Sequence, residues 1–173
     1  ATNPPILSYG VTGTLPSGVT LNASTGVLGG TPAAGTGGTY AFTINASNGV
    51  GNPAAQAFTL TVNQAPAVTS LDSTSFETGV AGSFQVTGSG FPAPTFSLTG
   101  TLPTGVTFNG TVLAGTPTPG QGGVFPLTFT ATNSVGTAPT QAFTLTVTEP
   151  AAITSVATTT FVVGTAGTFT FTA

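Results

Sequence analysis

Three side chains in this sequence carry a formal charge near neutral pH: Asp72, Glu77 and Glu149. There is no Lys, Arg, His or Cys. General acid–base catalysis needs a positioned proton carrier, and covalent catalysis needs a nucleophile with a base beside it. The many Ser and Thr hydroxyls have no such base to activate them. A carboxylate pair of the kind that hydrolyses glycosides must flank one bond. Here Asp72 and Glu77 share one strand-entry segment and Glu149 stands at a distant junction. The sequence therefore predicts no enzyme, no catalytic residue, no cofactor-binding residue and no metal ligand set. Without cysteine, disulfides and thiolate metal sites are also excluded.

The elements that would position any site must form without charge. Charged residues are 2% of the chain, against about 25% in an ordinary globular domain. Hydrophobic residues reach 39%, the opposite balance from a disordered chain. Nucleic-acid binding and polybasic membrane attachment both rest on Lys and Arg, so neither partner is expected. No apolar run is long enough for a membrane-spanning helix. No signal peptide is legible, since its leading region needs positive charge; the chain reads as a mature protein or an internal fragment. So uncharged a surface favours association. It is expected to be covered by other copies, by a sheath of neighbours or by glycan.

The chain repeats itself, and the repeat governs the fold. Thr14-Leu15-Pro16-Ser17-Gly18-Val19-Thr20-Leu21-Asn22 returns as Thr101-Leu102-Pro103-Thr104-Gly105-Val106-Thr107-Phe108-Asn109. Val27 to Pro32 returns as Val112 to Pro117, and Gln56 to Val62 as Gln141 to Val147. A third copy opens near the end, where Phe76 to Phe84 returns as Phe161 to Phe169. Apolar and polar residues alternate in Tyr40–Ile44, Phe58–Val62, Phe84–Val86, Phe125–Phe129, Phe143–Val147 and Phe169–Phe171, as in half-buried strands. Threonine suits the intervening positions because its branched Cβ fits the pleat. The 25 Gly and 14 Pro supply turns between them. Short strands at regular spacing predict an all-β fold: β-sandwiches repeated in tandem as a linear rod.

The expected organisation is a C-terminal part-repeat at 1–65, a complete repeat at 66–149, and the first strands of another at 150–173. Short Pro-containing links near Gln64-Ala65-Pro66 and Glu149-Pro150 read as semi-rigid junctions. Aligned to the complete repeat, Ala1 and Ala173 both fall on Gly88, so head and tail together make one whole domain. Two readings stay open. The chain is a window on a longer tandem array, or its last strands complete the part-domain of the next copy. Strand addition of that kind is a known recognition mode, and a head-to-tail contact that does not close builds a filament.

The order Leu-Pro-x-Gly-Val-Thr-Leu-Asn, Thr-Gly-Val-Leu-x-Gly-Thr-Pro, an aromatic strand, then x-Phe-Thr-Leu-Thr-Val resembles the Ig-like repeats of large bacterial surface proteins. These are related in style to cadherin-like repeats. Residues 15–62 carry the pattern, and residues 102–147 carry it again. The resemblance implies an extracellular or cell-surface protein: a structural filament, stalk or sheath, or alternatively an adhesin or carbohydrate-binding module. Other copies of the chain, head to tail and laterally, are the expected partners. Cadherin-like repeats hold calcium on repeated acidic residues, and calcium wants six to eight oxygens. Here Asp72 and Glu77 align with Ala157 and Val162, and Glu149 with Gln64, so no such site is expected. Asn22, Asn45 and Asn109 head Asn-x-Ser/Thr sequons that would place glycan on surface turns. Leu102-Pro103-Thr104-Gly105 lacks one residue of a wall-sorting signal and reads as the repeat's turn, like Leu15-Pro16-Ser17-Gly18. Tyr9 and Phe96 occupy equivalent positions and read as core.

Overall fold

The computed structural model describes residues 6–173; the alignment of Ala1 with Gly88 lies outside the described residues. Among these the chain forms strands and no helix. In the first part they are β1 (Ser8–Thr12), β2 (Val19–Leu21), β3 (Leu28–Gly30), β4 (Gly38–Ser47) and β5 (Ala54–Val62). Next come β6 (Gln64–Val68), β7 (Ser73–Glu77), β8 (Gly82–Gln85), β9 (Gly88–Phe91) and β10 (Thr95–Thr99). The last four are β11 (Val106–Phe108), β12 (Val112–Gly115), β13 (Gly123–Thr132) and β14 (Thr140–Thr148).

From β6 onward the strands close around one core. One sheet runs β10-β13-β14-β7, antiparallel except for the last pair, where β7 joins β14 in parallel. Facing it are the β11-β12-β8 sheet and the β6-β9 pair. The alternation seen in the sequence explains which residues meet. In β14, Phe143, Leu145 and Val147 are buried while Ala142 and Thr144 are exposed, as a period of two requires. Phe76 and Val86 close the core from the other strands, with Leu113 and Phe129 fully enclosed. The Phe129 and Phe143 rings meet edge to face, their centroids 4.9 Å apart. Such pairs add about 0.5–1.5 kcal/mol beyond area burial.

The turns repeat with the strands. Gly105 has φ +92°, and a Cβ there would lie 2.1 Å from the Thr116 carbonyl oxygen. Gly18 has φ +86° and meets Thr31 in the same way. Only glycine fits. Asn109 Oδ1 accepts from the backbone N–H groups of Thr111 and Val112. Asn22 Oδ1 accepts from those of Ser24 and Thr25. Two of the three sequon asparagines thus hold turns, and Asn45 Nδ2 donates to Thr12 Oγ1 from strand β4.

At the link Gln64-Ala65-Pro66, β6 starts at Gln64, and only Asn63 separates it from β5. The structure departs from the sequence reading at three places. The strand expected at Phe125–Phe129 runs from Gly123 to Thr132, because β14 partners it from Gly123 to Thr130 and β10 from Thr128 to Thr132. Residues 169–171, expected as a strand, are extended but unpaired, since no neighbouring strand takes their backbone groups. Tyr9 and Phe96 are half-buried and not enclosed. Tyr9 lies across Gly26, and Phe96 packs on the edge of the core.

A candidate assembly interface

The first part of the chain repeats half of the later sandwich. The β1-β4-β5 sheet corresponds to β10-β13-β14, and the β2-β3 pair to β11-β12. Among the described residues, nothing occupies the place that β7 and β8 take in the later unit. The outer edge of β5 therefore has no parallel neighbour, and the outer edge of β3 has no antiparallel one. Between them runs a groove of about 350 Å³, lined by Val19, Leu28, Pro32, Leu60 and Val62. Its lining mixes apolar side chains with the polar Thr61 and Asn63, and the bounding strand edges are unpaired. Exposed strand edges of this kind are templates for another strand.

Residues 150–173 have the complementary problem. They match β7, β8 and the approach to them, and they already hold the same local shape. Thr69 N donates to Thr87 O at 2.8 Å, and Thr154 N donates to Thr172 O at 2.8 Å. The Thr69–Thr87 and Thr154–Thr172 hydroxyl pairs stand at 3.1 and 3.0 Å. Gly79 and Gly164 turn at φ +76° and +79°. A Cβ on Gly82 would strike the ring of Phe76, and one on Gly167 would strike that of Phe161, both at 2.4 Å.

The surroundings differ. Phe76 is 5% exposed and Phe161 57%; Val86 is 2% exposed and its counterpart Phe171 74%. On the groove side, Phe143 is 2% exposed and its counterpart Phe58 40%. Core positions of the repeat thus lie open at both ends of the chain.

The three acids are dispersed. Asp72 precedes β7, where its backbone oxygen accepts from Thr144 N. Glu77 closes β7 opposite Thr148. Glu149 Oε1 accepts from Gly120 N at 2.6 Å and its Oε2 from Gly122 N at 3.1 Å. Among the described residues, no three of His, Cys, Asp or Glu gather as a metal site, and no helix is long and apolar enough to cross a membrane. Thr104 of the Leu-Pro-Thr-Gly segment sits in a turn, its N–H bonded to Gln121 Oε1, with Pro103 buried beside it.

Sequence reasoning missed the clamp at each junction. Gln64 Oε1 accepts from Gly37 N at 3.1 Å, as Glu149 does from the equivalent Gly122. Asn133 Nδ2 then ties the first junction to the later unit by donating to Gln64 O and Pro92 O. The legible signal was an acceptor side chain, Gln or Glu, following each Gly-Gly pair at the same interval.

With this geometry, the fold is that of Ig-like β-sandwiches in tandem. The chain belongs to the family described as Putative Ig domain, whose profile matches residues 1–63 and 65–148. No curated protein sequence matches it. Among solved structures it is similar to the insect immune protein hemolin, at 22% identity and TM-score 0.47, covering 83% of this chain and 39% of that one. It is also similar to Sidekick-1 immunoglobulin domains 1–4, at 18% identity and TM-score 0.44, covering 83% of this chain and 40% of that one. An endo-fucoidan hydrolase of glycoside hydrolase family 107 matches at 21% identity and TM-score 0.37, over 83% of this chain and 24% of the hydrolase. Two Bacteroides fragilis chains are matched over only 18% of their length. Domains of this class are typical of surface and adhesion proteins.

Proposed function

We propose that this protein is an extracellular structural component that builds a filament, stalk or sheath from stacked Ig-like sandwiches. The supporting observation is the tandem repetition: residues 1–63 and 65–148 each match the family, and the pattern opens again after Glu149. Repeats joined by links this short stack in a line. Low charge adds to this, because three carboxylates, Asp72, Glu77 and Glu149, are all that repels a neighbouring copy. No residue set supports catalysis, and the proposed partners are further copies, joined head to tail and laterally.

A carbohydrate-binding or adhesive role would need exposed aromatics arranged as a platform. The exposed rings of Phe58, Phe161 and Phe171 instead occupy positions that are core or core-lining in the complete unit. Negative-stain imaging with light scattering tests the proposal. Linear particles of graded length are expected; a monodisperse monomer at physiological salt would defeat it.

A further inference from the structure

We infer that Asn22 and Asn109 each carry a glycan, joined through the side-chain nitrogen Nδ2, at the same turn of successive repeats. Asn45, which heads the third Asn-x-Ser/Thr sequon, carries none. The inference rests on the extracellular placement proposed above and adds a covalent modification to it.

All three sequons satisfy the same sequence rule, so geometry is what separates them. Asn109-Gly110-Thr111 forms the turn between β11 and β12. Asn109 Oδ1 accepts from Thr111 N at 3.0 Å, from Val112 N at 2.8 Å and from Thr111 Oγ1 at 3.2 Å. The carboxamide oxygen is fully occupied and its plane is fixed, while Nδ2 has no hydrogen-bond partner among the described residues. Asn109 and Thr111 are exposed, and a Cβ built on Gly110 would meet nothing within 4 Å. The turn between β2 and β3 repeats the arrangement. Asn22 Oδ1 accepts from Ser24 N and Thr25 N, both at 3.0 Å. Its Nδ2 again has no partner among the described residues, and Asn22, Ala23, Ser24 and Thr25 are all exposed. The two turns differ in length and in sequence, Asn22-Ala23-Ser24-Thr25-Gly26-Val27 against Asn109-Gly110-Thr111-Val112, yet both hold the sequon.

Asn45-Ala46-Ser47 is built differently. It lies wholly inside β4, the middle strand of the β1-β4-β5 sheet. Asn45 pairs with Gly10 on one side and Ala55 on the other, and its Nδ2 donates to Thr12 Oγ1 at 2.9 Å. In a strand, residues two apart stand about 6.7 Å from each other. Ser47 therefore cannot close on Asn45 the short turn that Thr111 closes on Asn109, and the nitrogen to be modified is already engaged.

The donor is a sugar activated at C1 as a pyrophosphate ester and presented by a transferase. Nδ2 attacks C1 and the N–C1 bond forms. The C1–O bond breaks, its electron pair leaves on the pyrophosphate, and the Nδ2 proton passes to a base of the transferase. The turn survives the reaction, because Oδ1 and backbone N–H groups hold it and Nδ2 does not. Neither turn takes part in the junction contacts of Gly37, Gln64, Asn133 and Pro92. A glycan on each repeat therefore leaves the line of sandwiches intact, and it gives a bulky polar cover to a chain with 2% charged residues.

Glycopeptide mass spectrometry of the full-length protein from its native source tests this. A protease of broad specificity is used, because a chain without Lys or Arg offers trypsin no site. Glycan mass is expected on the peptides holding Asn22 and Asn109, with Asn45 unmodified. Bare Asn22 and Asn109 overturn the inference. Equal occupancy at Asn45 overturns it too, since sequence alone would then decide. In a host that N-glycosylates secreted proteins, Thr111→Val is expected to lose the glycan at Asn109 and keep that at Asn22, and Thr111→Ser to restore it. Valine keeps the backbone N–H that Asn109 binds, and the retained glycan at Asn22 with an unchanged denaturant transition reports that the chain still folds. A glycan that persists at Asn109 in Thr111→Val overturns the assigned role of the turn. Negative-stain images of the same preparation separate this inference from the filament. Linear particles of unmodified protein overturn the glycan and leave the filament standing; glycosylated, monodisperse monomers support the glycan and overturn the filament.

Discussion

Phe129 and Phe143 set the scale of the complete sandwich, because both are enclosed and in ring contact. Truncating either to Ala is expected to cost about 3–5 kcal/mol of unfolding free energy. Phe58, the counterpart of Phe143, is 40% exposed, so Phe58→Ala in a dispersed chain is expected to cost less than half as much. Denaturant midpoints of the three variants check the ranking; equal losses would mean that the open unit is already filled. Gly105→Ala is expected to destabilise by at least about 1–2 kcal/mol, since the site needs a positive φ and the new Cβ meets a carbonyl oxygen. Much of this was legible. The repeated Leu-Pro-x-Gly-Val motif marked both glycines, and alternation marked Phe143, Leu145 and Val147 as inward. The enclosure of Phe76 beside the exposure of Phe161 was not legible, because identical local sequence has identical periodicity. Only the presence of a partner sheet separates the two.

At the scale of elements, the strands are specified by pattern and their ends by partners. β13 outgrew its expected length because β14 and β10 between them partner all of it, whereas residues 169–171 remain unpaired with a strand-like sequence. Junction geometry was the least legible element. Gln64 and Glu149 align as equivalent positions in the sequence, but that both reach back to a glycine N–H across the same turn needed the fold. Glu149→Gln is therefore expected to preserve the clamp, as Gln64 does, and Glu149→Ala to release the 120–122 turn. Amide exchange at Gly120 and Gly122 measures this directly. Unchanged protection in Glu149→Ala would show that the clamp does not order the turn.

The described residues form one complete sandwich with an open half-sandwich before it and an unpaired segment after it, nearly free of charge. Contacts between copies made by apolar burial and backbone pairing are not screened by salt. Assembly is therefore expected to vary little between about 0.05 and 1 M salt; light scattering that falls steeply across that range would point to electrostatic contacts. Composition made this scale partly legible, since the absence of basic residues excluded nucleic acid and polybasic membrane attachment at once. The most direct measurement is a helical reconstruction of the assembled protein at a resolution that traces the backbone. The expected result is a line of Ig-like sandwiches in which the Gln64 and Glu149 clamps recur at successive junctions. Dispersed particles with no repeating line of sandwiches would contradict it.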